Sequence, residues 1–246
     1  TNSGTITISN TSGYGIYNHA TITNNSGGLI TISNTGVYGI NNSGTINNNS
    51  GGLITISNSS TSSGIFNSGS GSSITNSGTI NITGKLANSG TITNSGTLTN
   101  TGGTITNNGF ITNSAVINNY GTITSDGDIN NSASAVINNG GTGITNNGTI
   151  TNSGTIQNSS SIYNNSGATI TNSGSIISFG GTITNNGTIT NSGTINHPVG
   201  TITNSGTITN SGTIFIQSLS TLNNSGSINI TGKLTNSGSI NNSGTI

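Results

Sequence analysis

The sequence predicts an all-β fold, a three-sided parallel β-solenoid of about 12 coils with uncapped ends. Three observations predict it. One aliphatic residue recurs every six positions over long stretches, as it does from Ile144 to Ile162. Turn-forming triplets such as Asn-Ser-Gly separate these aliphatic residues. Extra residues in the repeat collect mainly in one of every three intervals. Repeats of this kind are typical of solenoids.

The six-residue unit is plainest in Thr91–Gly96, which reads Thr-Ile-Thr-Asn-Ser-Gly. A helix would place apolar residues three and four apart, and Gly, Asn and Thr in every turn oppose it. In an extended chain an even period keeps every Ile on the same face and the flanking Thr residues on the other. Asn, Ser and Gly tolerate the cornering backbone between strands. Each unit is therefore predicted to form a short strand with an inward Ile, followed by a corner.

The spacing of the aliphatic residues, called anchors below, predicts three sides per coil. The first interval in a group of three exceeds six residues in eight of 12 groups, and the second interval does so in two. A two-sided coil would scatter these insertions. The groups are Ile6, Ile16, Ile22; Ile30, Ile40, Ile46; Ile54, Ile65, Ile74; Ile80, Leu86, Ile92; Leu98, Ile105, Ile111; Ile117, Ile123, Ile129; Ile137, Ile144, Ile150; Ile156, Ile162, Ile170; Ile176, Ile183, Ile189; Ile195, Ile202, Ile208; Ile214, Leu222, Ile228; Leu234, Ile240, Ile246.

A second inward position lies two residues after the anchor and often holds Asn. We expect these side chains to form stacked interior ladders, which would satisfy their polar groups. The clearest examples are Asn94, Asn107, Asn113, Asn152, Asn204 and Asn236. One observation leaves the register open, because the sequence Ile-Asn-Ile-Thr-Gly-Lys-Leu at residue 80 falls on a different side from its copy at residue 228.

The composition excludes several classes of function. Gly, Asn, Ser and Thr make up 172 of 246 residues, and the chain has two Lys, no Arg, two Asp, no Glu and no Cys. Two Lys cannot neutralise a phosphate backbone, so no nucleic-acid partner is expected. The scarcity of titratable side chains argues against an enzyme, and no cofactor or metal is expected. No apolar run is long enough for a membrane-spanning helix, so no membrane insertion is expected.

The two termini are in phase with the repeat and show no cap. Joining residue 246 to residue 1 would continue the six-residue spacing. Open solenoid ends expose strand edges that can pair with another copy. We therefore expect residues 1–246 to form a single continuous solenoid region, either a segment of a longer chain or a polymerising subunit.

Gly15-Ile16-Tyr17-Asn18, Gly39–Ile46 and the recurring Asn-Ser-Gly-Thr-Ile resemble the repeats of bacterial surface β-helices. These are the filamentous-haemagglutinin-like and autotransporter passenger regions. The resemblance covers the whole chain and implies a secreted adhesin or structural stalk. The chain departs from the family by lacking its usual charge. A second likeness, to hexapeptide-repeat acyltransferases, is weaker because Thr follows the aliphatic residue where those enzymes favour Gly or an acid.

Four residues of the extended corner form a candidate interaction surface: Tyr14, Tyr38, Phe179 and His197. They could stack on carbohydrate or on another filament. The alternative is a packed ladder of loop residues. His19 and His197 lack partners at metal-ligand spacing and are interpreted as surface residues. Asp126-Gly127-Asp128 is interpreted as a solvated turn and not as a cation site.

A second candidate surface is an array of outward Thr pairs on four consecutive coils, Thr149/Thr151, Thr169/Thr171, Thr188/Thr190 and Thr207/Thr209. It resembles the ice-binding faces of β-solenoid antifreeze proteins. The alternative is that Thr simply suits exposed strand positions. Thr pairs on other sides, such as Thr182/Thr184, favour that alternative.

The sequence thus predicts a non-catalytic, extracellular or cell-surface protein that builds a filament or adhesin stalk. The expected partners are other copies, by head-to-tail or lateral assembly, and carbohydrate or a host or neighbouring cell surface. Ice binding through the Thr pairs is the alternative function.

Overall fold

The computed structural model describes residues 1–58 and 63–246, and its secondary structure in those ranges is β-strand, turn and bend without helix. The chain divides into two compact units, Thr1–Ile123 (unit 1) and Thr124–Ile246 (unit 2), which are described separately below. Within these ranges, the strands that pair residue by residue run parallel to each other. The chain is a parallel β-solenoid of about 12 coils, which confirms the predicted fold class.

The strands of unit 1 are short, with three to five residues each. They are β1 (Thr5–Ser9), β2 (Ile16–Asn18), β3 (Thr21–Asn24), β4 (Leu29–Ser33), β5 (Tyr38–Asn42), β6 (Thr45–Asn48), β7 (Leu53–Ser57), β8 (Ser63–Asn67), β9 (Ser73–Asn76), β10 (Thr79–Ile82), β11 (Lys85–Asn88), β12 (Thr91–Asn94), β13 (Thr97–Asn100), β14 (Thr104–Asn107), β15 (Phe110–Asn113) and β16 (Val116–Asn119). The next strand, β17 (Thr122–Ser125), spans the residue at which the units divide.

Unit 2 combines four-residue strands with three longer ones that pass through a corner. They are β18 (Asp128–Asn131), β19 (Val136–Asn139), β20 (Gly143–Asn146), β21 (Thr149–Asn152), β22 (Thr155–Asn158), β23 (Ser161–Asn164), β24 (Thr169–Asn172), β25 (Ser175–Asn185), β26 (Thr188–Asn191), β27 (Thr194–Asn204), β28 (Thr207–Asn210), β29 (Thr213–Asn224), β30 (Ser227–Ile230), β31 (Lys233–Asn236) and β32 (Ser239–Asn242).

Each coil contributes one strand segment to each of three sides, named here by the order of their anchors. In unit 1, Ile6 pairs with Ile30 on side 1, Ile16 with Ile40 on side 2, and Ile22 with Ile46 on side 3. The same order continues through unit 2, where the third side pairs Ile150 with Ile170. Sides 1 and 2 belong to one sheet and side 3 to a second sheet. The three-sided prediction is confirmed.

The pairings also settle the register. Ile80 pairs with Ile54 and Leu98 on side 1, whereas Ile228 pairs with Ile208 on side 3. The two copies of Ile-Asn-Ile-Thr-Gly-Lys-Leu therefore do lie on different sides. No slip of register is needed, because the side of a segment depends on its position in the coil and not on its local sequence.

The anchors form the core of each unit. Every anchor from Ile30 to Ile228 is 3% exposed or less. In the first and last coils only one neighbouring coil covers the anchors, and Ile6 and Ile246 are 36% and 50% exposed. A fully buried Ile contributes about 1.5–3 kcal/mol relative to an exposed one. The regular Ile stack therefore supplies much of the stability of this thin core.

The second inward position holds the predicted Asn ladders. On side 3 of unit 1, Asn24 donates to Oδ1 of Asn48 at 2.9 Å, and Asn76 donates to Asn94 at 2.7 Å. Their side-chain amides also donate to backbone carbonyl groups at the corners, so burial leaves few polar atoms unpaired. Five of the six named examples are buried, but Asn236, in the last coil, is exposed and donates to the carbonyl of Gly238.

Most of the inserted residues lie at the corner between sides 1 and 2, as predicted. In unit 2, β25, β27 and β29 run through this corner, and register shifts interrupt the pairing there. The corners within uninterrupted six-residue repeats are tight. A Cβ atom on Gly96 or Gly206 would collide with the carbonyl oxygen of Gly78 or Gly187 in the adjacent coil. Glycine therefore allows the corners to stack closely.

Candidate interaction surfaces

An aromatic stack, formed by Tyr17, Tyr14, Tyr38 and Phe66, covers part of the corner and of side 2 in unit 1. The ring centroids of Tyr14 and Tyr38 are 5.7 Å apart, and those of Tyr38 and Phe66 are 5.0 Å apart. Tyr14 also stacks on Tyr17, at 5.2 Å. Tyr14 and Tyr38 therefore stack across adjacent coils, and each of these inner rings lies between two others.

Glycine residues at the start of side 2 help to place these tyrosines. Gly15 and Gly39 directly follow Tyr14 and Tyr38. A Cβ on either glycine would lie 2.6 Å from a carbonyl oxygen of the next coil and close to a core Ile methyl group. The backbone can approach the core only without that atom, and the preceding Tyr then lies on the outer surface. Tyr14 is 44% exposed.

Sequence reasoning did not connect Tyr17, Phe66 and His19 with the stacked rings of Tyr14 and Tyr38. Tyr17 and Phe66 directly follow the anchors Ile16 and Ile65, so their outward orientation could have been read from the repeat. The ring of His19 contacts Tyr17 edge-on, with centroids 4.2 Å apart, and its Nδ1 lies 2.6 Å from the hydroxyl of Ser43. His19 is exposed, so its prediction as a surface residue is confirmed.

An exposed apolar row lies at the corner between sides 1 and 2 of unit 2. Phe179 pairs with Val199, which pairs with Leu219 in the next coil. The three residues are 57%, 40% and 72% exposed. Phe179 was singled out from the sequence, whereas Val199 and Leu219 were revealed as its neighbours by the pairing of the coils. Such a row can contribute to an interaction surface.

His197 contradicts its prediction as a surface residue, because it is fully buried. It lies two residues after the anchor Ile195, at the inward position that Asn occupies in other coils. The adjacent Pro198 and Val199 belong to the outer corner, and the parity of the strand turns His197 inward. His197 therefore cannot contribute its ring to an exposed aromatic strip.

The eight predicted Thr residues do form two columns on side 3 of unit 2. Thr149, Thr169, Thr188 and Thr207 pair in one column, and Thr151, Thr171, Thr190 and Thr209 pair in the other. No register shift interrupts these pairings. Strand geometry gives a spacing of about 6.6 Å between columns and about 4.8 Å between coils. This Thr array is thus a regular surface, as the repeat predicts.

The hydroxyl groups of the Thr array make no hydrogen bond with the described residues, in contrast to Thr182 on side 2, whose hydroxyl donates to Ser161. The array ends at Asp128 and Asn130 on one side and at Ser227 and Asn229 on the other. On side 2 of unit 2, outward Thr pairs flank the anchors of two consecutive coils, Thr182/Thr184 and Thr201/Thr203. In unit 2, outward Thr pairs therefore follow one another over more coils on side 3 than on side 2.

The acidic turn of unit 2 contributes Asp126 to an exposed column of hydrogen-bonded polar side chains. Asn147 donates to Oδ1 of Asp126 at 2.6 Å, and Asn165 continues this exposed column by donating to Asn147. Over residues 1–58 and 63–246, no group of three or more His, Cys, Asp or Glu residues could hold a metal ion. Within the same ranges, no helix is long and apolar enough to cross a membrane.

Comparison with known proteins identifies the repeat. The haemagglutinin-repeat family model matches residues 50–160, 116–212 and 194–246. No curated protein and no solved structure matches the chain. The family matches overlap and run without a gap from residue 50 to residue 246, which is well over half of the sequence. They agree with the parallel solenoid and with the surface-repeat resemblance of the sequence. The chain belongs to the haemagglutinin-repeat family.

Proposed function

We propose that this chain is a non-catalytic structural element of an extracellular filament or adhesin stalk. The observation that carries the proposal is the in-register stacking of coils in each unit, with an anchor and commonly an Asn repeated on every side. Such stacking gives an extended surface of repeated outward positions. The strand edges of a solenoid coil can also pair with another copy, which would lengthen the assembly head to tail.

The family and the composition support this proposal. Haemagglutinin repeats are associated with cell-surface or secreted proteins and are typically non-enzymatic, and the β-solenoid fits an adhesin-type or filament-type role. The chain has two Lys and no Arg, so trypsin-like proteases find few cleavage sites. The lack of Cys frees the fold from any dependence on disulfide formation.

Electron microscopy of the native material, with an antibody against the chain, tests the structural proposal. We expect extended fibres that carry the label along their length at the cell surface. Discrete labelled particles that do not associate would contradict the filament, and label confined to the cell interior would contradict the extracellular location.

The aromatic stack is our candidate contact surface for carbohydrate. Tyr14 and Tyr17 are half exposed, carry hydroxyl groups and lie beside the polar pair of His19 and Ser43. Aromatic rings with polar edges suit sugar recognition. A glycan array probed with the full chain should show binding that Tyr17→Ala weakens at least tenfold. Tyr120→Ala changes a tyrosine of similar exposure outside the stack, and equal loss in both variants would contradict this surface.

The Thr array supports ice binding as the second candidate function. The observation that favours ice binding is the set of eight aligned hydroxyl groups that make no hydrogen bond with the described residues. Methyl and hydroxyl groups at constant spacing can hold surface water in a regular arrangement. We expect the soluble chain to shape ice crystals and to lower their growth temperature.

Matched Tyr substitutions test this second function. Thr171→Tyr with Thr190→Tyr would interrupt one column of the Thr array, whereas Thr184→Tyr with Thr203→Tyr would alter side 2 in the same way. We expect the first pair to abolish the effect on ice and the second pair to retain it. No thermal hysteresis at high concentration of the unaltered chain would remove ice binding.

A further inference from the structure

His197 replaces a ladder residue in the interior of unit 2. On side 1, Asn139 donates to Asn158, and Asn158 donates to the hydroxyl of Ser178. His197 occupies the corresponding position in the following coil, and its Cα pairs with that of Ile216 in the coil after that. The amide ladder of this side therefore ends at Ser178 and meets an imidazole ring.

The ring of His197 is buried, and the backbone of Gly200 is the polar group that lies beside it. Its exposure is 0%, and neither Nδ1 nor Nε2 makes a hydrogen bond. Nε2 faces the backbone of Gly200, where an added Cβ would lie 3.3 Å away. Burial lowers the pKa of His197 below its ordinary value of 6.5 and outweighs the opposing effect of the Gly200 backbone. The neutral ring is the form that this interior favours.

The elements around His197 offer no counter-charge. The strands paired with β27 are β25 and β29, and neither contains Asp, Glu, Lys, Arg, His or Tyr. On side 3 of the same coils, β26 and β28 contain only Thr, Ile and Asn. The nearest ionisable side chains by pairing are Tyr163 on β23 and Lys233 on β31, and both are exposed. An imidazolium at residue 197 would be an unpaired buried charge.

We propose that His197 makes its coil sensitive to acid. Protonation of the ring opens the corner between the two halves of β27, because the cation gains water by leaving the interior. The acid response is confined to this position, since the Asn ladders of sides 2 and 3 contain no titratable group in these coils. It is independent of the filament proposal, because it depends only on the interior of unit 2.

The direction of the pH dependence follows from the two states of the ring. In the open state the ring titrates near 6.5, and in the closed state it stays neutral to lower pH. Above about pH 6.5 both states bind the same number of protons and the equilibrium is constant. Below that pH the open state binds one more proton, so the opening constant rises by up to about tenfold per pH unit, equivalent to about 1.36 kcal/mol.

The same corner carries the exposed apolar row. Val199 lies two residues after His197, and it pairs with Phe179 and Leu219 in the neighbouring coils. Opening of β27 would separate Val199 from these partners. Acid would therefore rearrange the largest exposed apolar side chains of this corner at the same time as it releases His197.

Hydrogen exchange of the full chain at pH 7.5 and pH 5.0, corrected for the intrinsic pH dependence of amide exchange, tests the proposal. We expect protection of residues 194–204 to fall by up to about 30-fold at pH 5.0, while protection of β18 stays constant. His197→Asn restores the residue type of Asn139 and Asn158 and should remove the pH dependence. His19→Asn, at the exposed histidine, should leave it unchanged.

A ring titration followed by NMR gives a second measurement that needs no variant to fold. We expect the His197 ring to remain neutral below pH 6.5 for as long as its coil stays closed. Titration at or above 6.5 in the intact chain would overturn the proposal. Equal pH dependence in the unaltered chain and in His197→Asn, or its loss in His19→Asn, would also overturn it.

Discussion

The side-chain amide of Asn172 donates a hydrogen bond to Oδ1 of Asn191, its counterpart one coil away, at 2.7 Å. Asn172 also accepts from Asn152 of the preceding coil and donates to the carbonyl of Thr194 at the corner. One side chain thus connects three successive coils and a turn. This relationship repeats along the ladders of both units.

We expect Asn172→Ala to lower the free energy of unfolding by about 2–4 kcal/mol. The change removes the amide and leaves buried partners on Asn152, Asn191 and Thr194 without their hydrogen bonds. Asn186→Ala is the matched control, because Asn186 is an exposed corner residue of the same unit. Urea denaturation followed by circular dichroism measures both, and similar losses would contradict the importance of the ladder.

Ser125→Asn should stabilise unit 2 by about 1 kcal/mol. Ser125 takes a ladder position on side 2, its hydroxyl donates to the carbonyl of Gly127, and Oδ1 of the buried Asn146 has no partner. An Asn at residue 125 can donate to that oxygen as other ladder members do. A rise in the midpoint of thermal unfolding is expected. Lower stability would show that this corner lacks room for the longer side chain.

Gly96→Ala should destabilise unit 1 by about 1–3 kcal/mol, because the added Cβ would collide with the carbonyl oxygen of Gly78 and force the coils apart. Gly71→Ala is the control, since its Cβ would have no heavy atom within 4 Å. We expect the control to change stability by less than about 1 kcal/mol. Chemical denaturation of both variants distinguishes close stacking from a general effect of glycine.

Tyr38→Ala should lower stability by about 1–3 kcal/mol, since the ring stacks on both Tyr14 and Phe66. Tyr120→Ala removes a ring that is 57% exposed and should cost less than about 0.5 kcal/mol. Thermal unfolding monitored by far-UV circular dichroism measures the difference. Equal effects would indicate that stacking within the aromatic stack adds no stability.

The six-residue spacing predicted the strands and the inward Asn positions, and the placement of the insertions predicted three sides per coil. It succeeded because each anchor meets another anchor at the same position in the next coil, so local sequence and long-range pairing agree. Ile80 and Ile228 show that a local motif does not predict the side on which its residues lie. Identical sequences lie on different sides because insertions and coil count, and not the motif, determine the side.

The surfaces were less predictable, for two physical reasons. The outward orientation of Tyr17 and Phe66 follows from strand parity, but their stacking with Tyr14 and Tyr38 depends on the path of the corner. For His197, strand parity relative to the anchor Ile195 already predicted an inward side chain. The neighbouring Pro198 and Val199 suggested an exposed insertion instead, although a corner can begin immediately after a buried residue.

The tight pairing of equivalent residues in successive coils has a consequence for how such a gene can change. Removal of residues 188–206 would join Gly187 to Thr207 and restore an uninterrupted Asn-Gly-Thr-Ile sequence. Thr207 would then face Thr169 in the place of Thr188, with every anchor still meeting an anchor. Recombination can thus remove or duplicate a whole coil without changing the pairing register of the remaining coils. The number of coils is then a heritable property that selection can change independently of the sequence within each coil.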